Sequence, residues 1–232
     1  MSQNKKEFLL TFVVAGFLMK IVAEILHEIF GHGLFVLIFG GEIVNVYISV
    51  LWPYEPSYIN WHLPSTITHL QLVWIYAGGI VICLFASFLV QTFLLLQKKG
   101  DWHFALVGFW LAFWTLVNST GYLIIGGLTP FGDVYELIRL EALSGAISLF
   151  AGLIAFIMGF IVLSWILRKS LRHTFPPKKA SLGVVLFWLT IPMLGIIMSI
   201  SPERNLPMVY IPLTFLPTLF SLFVEYFLVL SK

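Results

Sequence analysis

Apolar residues run almost without interruption through six stretches of the chain, at about residues 8–39, 70–97, 103–126, 143–167, 181–200 and 207–230. A helix crossing a bilayer needs roughly 20 such residues, so the pattern predicts an all-α polytopic membrane protein with about six transmembrane helices. The first stretch is too long for one simple crossing and too short for two, which predicts a tilted helix or a half-embedded extension. It begins like a signal peptide, with Lys5 and Lys6 before an apolar run. No small-x-small cleavage site precedes its polar residues, so an uncleaved first helix is expected. The segment 40–70 breaks the helical pattern. In "EIVNVYISV" Val44, Val46 and Ile48 alternate with Asn45, Tyr47 and Ser49, the period of a strand. Trp52, Tyr54, Tyr58 and Trp61 suit a membrane interface. The segment is read either as an interfacial loop or as a short β-hairpin, re-entrant beside the functional residues.

Composition agrees with this reading. The 232 residues are 59% hydrophobic and only 10% charged, where a soluble domain carries about 25% charged residues. No loop is long enough for a separate soluble domain. Residues 1–232 are therefore read as a single integral membrane domain, with one part at about 20–137 and a C-terminal three-helix part at about 143–232. The single cysteine, Cys83, excludes an intramolecular disulfide and a Cys-rich zinc site and reads as small apolar filler. Charge placement sets the expected orientation. Lys5, Lys6, Lys98, Lys99, Arg168, Lys169, Arg172, Lys178, Lys179 and Lys232 fall on one side, and only Arg139 and Arg204 on the other. Both termini are expected in the cytoplasm.

One interruption of the apolar pattern carries chemistry. "AEILHEIFGHGL", residues 23–34, places Glu24, His27, Glu28 and His32 in a membrane helix, where ionisable groups are costly and functional by default. A zinc helix reads His-Glu-x-x-His; this one reads His-Glu-x-x-x-His. At about 100° per residue, positions five apart stand about 140° apart on a regular helix. Two arrangements repair this. A π-type turn near Phe30–Gly31 absorbs one residue, puts His27 and His32 on one face, and leaves Glu28 free as a general base. Alternatively Glu28 and His32 form the i, i+4 pair, and Glu28 becomes a ligand.

"HEIFGH" matches the extended zinc motif of the dipeptidyl peptidase III family, but the rest of the chain resembles the site-2 protease family of intramembrane zinc metalloproteases. In that family a His-Glu-x-Gly-His helix is followed by a Gly-led strand, similar to "GGEIVNVYISV", and by a helix with Ala-Gly-Pro, similar to "YAGGIVICLFASF" at 76–88. A later Asn-x-x-Pro-x-x-x-Leu-Asp-Gly motif supplies an aspartate, and "GGLTPFGDVYEL" at 126–137 offers Pro130 and Asp133. Here the aspartate follows the proline by three residues rather than five, and Gly79 replaces the Ala-Gly-Pro proline. The resemblance covers about residues 20–137. It implies Zn2+ held by His27, His32 and Asp133, Glu28 as catalytic base, and cleavage of a membrane-embedded or membrane-proximal peptide bond. It also implies a membrane protein or peptide substrate, beside the bilayer itself, and no nucleic acid. The charge rule puts the motif towards the extracytoplasmic side, inverted relative to the familiar members.

Other readings stand beside these. Asp133 is either a ligand or the cap of a helix at "VYELIRL". Asn118 is a substrate contact or an interhelical hydrogen-bond residue, and Tyr122 or His62 is a candidate oxyanion donor. Glu24 is expected to pair with Lys20 at i, i+4. Glu225, His103 and His173 are expected in solvent or snorkelling towards it, and Pro207, Pro212 and Pro217 should kink the last helix. The rival functions are an inactive membrane protein of the same fold, acting as a scaffold or transporter, and a membrane di-iron oxygenase. The six histidines (27, 32, 62, 69, 103 and 173) contain no His-His pair, so the later histidine boxes of such an oxygenase are missing.

Overall fold

A computed structural model describes residues 3–97, 102–203 and 206–227. Lys98, Lys99, Arg204 and Lys232, four of the residues used for the orientation, lie outside the described residues. Among the described residues there are six helical spans long and apolar enough to cross a membrane, together with a small two-stranded sheet. It is the fold of a multi-pass membrane protein.

The first span is one continuous helix, Lys5–Ile38. It comprises α1 (Gln3–Ile25), a π-helical segment (Leu26–Gly33) and α2 (Leu34–Ile38). Gly40, at φ 78°, turns the chain into β1 (Glu42–Tyr47). β2 (Tyr58–His62) pairs with β1 in antiparallel fashion, Glu42 opposite His62 and Tyr47 opposite Tyr58, with an irregularity between Ile43 and Asn45. The hairpin folds back along the first helix. From Ile38 to Lys20 is about 27 Å of helix, and a six-residue strand covers about 20 Å; accordingly Lys20 Nζ donates to the Ser49 carbonyl at the hairpin tip. Ser49 also binds Ser57 and Glu55, which closes the tip on itself. The hairpin reading of this segment is therefore the one observed.

α3 (His69–Leu96) starts at a capping box, in which Thr68 and Gln71 satisfy each other's backbone N–H groups. α4 (Trp102–Leu128) follows, then the short α5 (Gly132–Arg139), and α6 (Gly145–Arg172), capped by Ser144. The fifth span is broken into α7 (Pro177–Phe187) and α8 (Thr190–Ile200). The last is broken into a 3-10 turn (Met208–Tyr210), α9 (Ile211–Thr214) and α10 (Leu216–Glu225). Pro207, Pro212 and Pro217 lie at these breaks, as expected of residues that lack an N–H and clash with the preceding turn.

The main core joins α1, α4, α6 and α7 through Phe8, Phe109, Phe113, Leu163 and Trp188. Trp188 is buried with its indole N–H bonded to Ser164 Oγ at 2.9 Å, as a buried indole requires. A second cluster, Ile80, Tyr122, Leu123, Val134 and Leu137, joins α3, α4 and α5. Leu10, Val13, Phe85, Leu89, Ile147, Ile154 and Phe220 point outward. A surface this apolar is stable against lipid tails and not against water.

Glu225 is not solvated. It is 1% exposed and held bidentately by Arg168 of α6, because an ionised side chain between apolar helices is stable only when paired. His103 does lie at the surface, beside Glu7 at 3.1 Å, and His173 is exposed.

Candidate metal centre

The π-helical segment Leu26–Gly33 resolves the spacing problem. Each turn takes in an extra residue, so His27 and His32 return to one face although they are five apart. Their Nε2 atoms are 3.2 Å from each other. Glu28 does not substitute for His27 in this pair. The chain can take this form because Gly31 lies directly against the backbone of Gly78 and Gly79 on α3. A β-carbon at Gly31 would overlap the Gly79 Cα, so the two helices meet backbone to backbone only with glycine on both sides.

Asp133 comes from the first turn of α5, 106 residues after His27. Its Oδ2 is 3.0 Å from His27 Nε2 and 3.3 Å from His32 Nε2. Phe131, not Asp133, occupies the N-cap, and no side chain caps the helix. The cap reading of Asp133 is therefore replaced by a contact with both imidazoles. Burial alone would raise the Asp133 carboxyl. The imidazoles of His32 and His27, when protonated, more than offset this and hold it well below the usual carboxylate range.

The three atoms form a nearly equilateral triangle. Nitrogen and oxygen ligands about 2.0–2.1 Å from a tetrahedral zinc stand about 3.3–3.4 Å apart, close to the observed edges. The tautomers point the same way. His32 Nδ1 is 2.7 Å from the Ile75 carbonyl, which can only accept, so Nδ1 carries the proton. In the neutral form of the ring Nε2 is then the bare nitrogen, a lone pair that can bind a cation. One added proton serves at most two edges of this triangle; a cation at its centre serves all three. These residues could hold a metal ion.

Glu28 is buried beside this triangle, with His27, His32, Asp133 and Glu24 as its charged neighbours. It makes no hydrogen bond to another described residue, so its carboxylate is not engaged elsewhere. Glu24, one turn earlier, accepts from Asn118 Nδ2 at 3.0 Å. Asn118 thus makes the interhelical hydrogen bond that one of its two readings expects. The expected Lys20–Glu24 ion pair does not form. Lys20 reaches instead for the hairpin tip, with Trp52 beside its ammonium at 5.8 Å, because the folded-back hairpin supplies a carbonyl where an isolated helix would offer only Glu24.

Tyr122 lies flat on His27, with ring centroids 4.8 Å apart and planes 17° apart. His62 is not brought to the triangle. It is exposed at the end of β2, and its strand neighbour Trp61 meets the His32 ring at 5.9 Å. Strand alternation explains the exchange, since adjacent residues face opposite sides.

Four features of the site escaped the sequence reading. The Ile75 carbonyl fixes the His32 tautomer and leaves no trace in residue type. Gly79 makes room for His27, whose Nε2 lies 2.6 Å from where a β-carbon would stand; the glycine pair in "YAGGIV" was its signal. Trp61 had been assigned to the membrane interface by its residue type. Cys83 is not mere filler either: its Sγ is 4.0 Å from His27 Nδ1 and 3.8 Å from the Ala23 carbonyl.

Comparison with protein-family models, with curated proteins and with solved structures gave no match.

Proposed function

We propose that this chain is an intramembrane zinc metalloprotease. The observation that carries the reading is the convergence of His27 Nε2, His32 Nε2 and Asp133 Oδ2 from two distant segments onto one point, the histidines on a helix of membrane-spanning length.

When bound, zinc acts as a Lewis acid and lowers the pKa of a coordinated water towards about 7. His27 and His32 contribute neutral nitrogens, and the Ile75 carbonyl and Cys83 orient the far sides of their rings. Asp133 contributes a negative oxygen. Glu28, beside the triangle but outside it, takes a proton from the attacking water onto its carboxylate and returns it to the leaving amine. The histidine, glutamate and aspartate roles follow the site-2 protease resemblance, and the substrate class, a membrane-embedded or membrane-proximal peptide, rests on that resemblance too.

The oxygenase alternative draws no support from the structure. His69 is bonded to the Leu140 carbonyl at 2.8 Å and His103 to Glu7, away from the triangle. Metal analysis of the purified chain tests the proposal directly. One zinc per chain, with hydrolysis of a membrane-embedded peptide that Glu28→Gln abolishes, is the expected result. Iron would favour the oxygenase, and a chain with neither metal nor hydrolysis would be the inactive protein.

A further inference from the structure

The two sides of the metal triangle come from segments more than a hundred residues apart, so some element must set the distance between them. The structure places that element on one face of α4. Tyr122 stacks on His27. The same ring also meets the start of α5: Phe131 lies against it at 5.4 Å, and Gly132, at φ 49°, crosses its edge. A β-carbon on Gly132 would stand 2.7 Å from Tyr122 Cδ1. One turn further along α4, Gly126 seats Val134, whose Cγ1 is 2.7 Å from a β-carbon built there. The residues on either side of Asp133 therefore both rest on α4, and the first rests on the same ring that holds His27.

We infer that Tyr122 is a positioning residue for the metal centre, whose ring sets the separation of His27 and Asp133. This rests on the metal reading of the triangle given above. The ring face is the part that does this work, and the role is separate from the oxyanion role that residue type suggests for the hydroxyl. Aromatic stacking supplies the holding force, and the left-handed backbone at Gly132 supplies the close approach.

The test is zinc(II) affinity, measured by chelator competition on the purified chain in detergent. Tyr122→Phe keeps the ring and should bind zinc within about twofold of the unaltered chain. Tyr122→Leu should bind about 10- to 100-fold more weakly, the usual effect of losing a group that orients a ligand. Gly132→Ala should also weaken binding, and by a smaller factor when Tyr122 is already leucine, because the methyl group then has room. The strain of a left-handed alanine is common to both backgrounds and cancels in this cycle. If Tyr122→Leu binds as the unaltered chain does, or if Tyr122→Phe loses as much as Tyr122→Leu, the inference is overturned while the metal centre stands. If the unaltered chain binds no zinc, both fall.

Discussion

His27 and His32 face each other across 3.2 Å although five residues separate them. On a regular helix the same two side chains would diverge by about 140°. The whole chemistry of the site depends on this local departure, and on the glycine contact between Gly31 and α3 that accommodates it.

His27→Ala and His32→Ala should each abolish stoichiometric zinc binding, because each removes one corner of the triangle. Glu28→Gln should retain the metal and lose hydrolysis, since an amide cannot accept the proton. Metal content measured beside proteolysis separates these effects. Loss of zinc in Glu28→Gln would make Glu28 a ligand and remove its role as base.

Asp133→Asn keeps the shape of the side chain and removes its charge. The carboxylate oxygen lies within 3.3 Å of both imidazoles, so zinc affinity should fall by at least about tenfold, the lower end of what losing even a supporting partner costs, because a neutral amide oxygen is a weaker ligand than a carboxylate. Unchanged affinity would move the third ligand elsewhere, with Glu24 next in line.

Gly79→Ala should cost most of the metal affinity, because the new methyl group occupies the position of the His27 ring. Gly121→Ala is the matched control on α4. A β-carbon there meets nothing within 4 Å, and exchanging glycine for alanine inside a helix is worth up to about 1 kcal/mol. Thermal unfolding should show Gly121→Ala unchanged or slightly stabilised. Equal metal loss in both variants would mean that the effect at Gly79 is not steric.

Deleting Phe30 restores the usual His-Glu-x-Gly-His spacing. The Phe30 side chain is 51% exposed, so its removal leaves little cavity, and a regular helix would then present both histidines on one face. Zinc binding should survive. Activity should fall, because the helix on one side of the deletion rotates by about 100° relative to the other. A folded protein without metal would show that the π-helical segment does more than align the two rings.

The charge rule predicts both termini in the cytoplasm and the histidine–aspartate triangle towards the outside. Thr66 and Lys178 are exposed at opposite ends of the bundle by that rule, and the native Cys83 is buried. In intact cells a membrane-impermeant thiol reagent should label Thr66→Cys and spare Lys178→Cys. The reverse pattern would invert the protein and bring the site to the cytoplasmic side.

Membrane character, the six spans and the two histidines with their glutamate were legible in the chain itself. Hydrophobic length is a local property, and a polar group in an apolar run stands out because its burial is costly. The need for a π-type turn between His27 and His32 was also legible, since helical geometry leaves few ways to bring positions five apart together. What the sequence left open was decided by packing. Asp133 could cap α5 or bind the histidines; the seat of Gly132 and Val134 on α4 turns it to the histidines. Lys20 could pair with Glu24; the folded-back hairpin takes it, and Asn118 takes Glu24. Glu225 reads as a snorkelling end residue until Arg168 is seen beside it. Each of these choices lies between two partners of similar local chemistry, and only the position of a distant segment separates them.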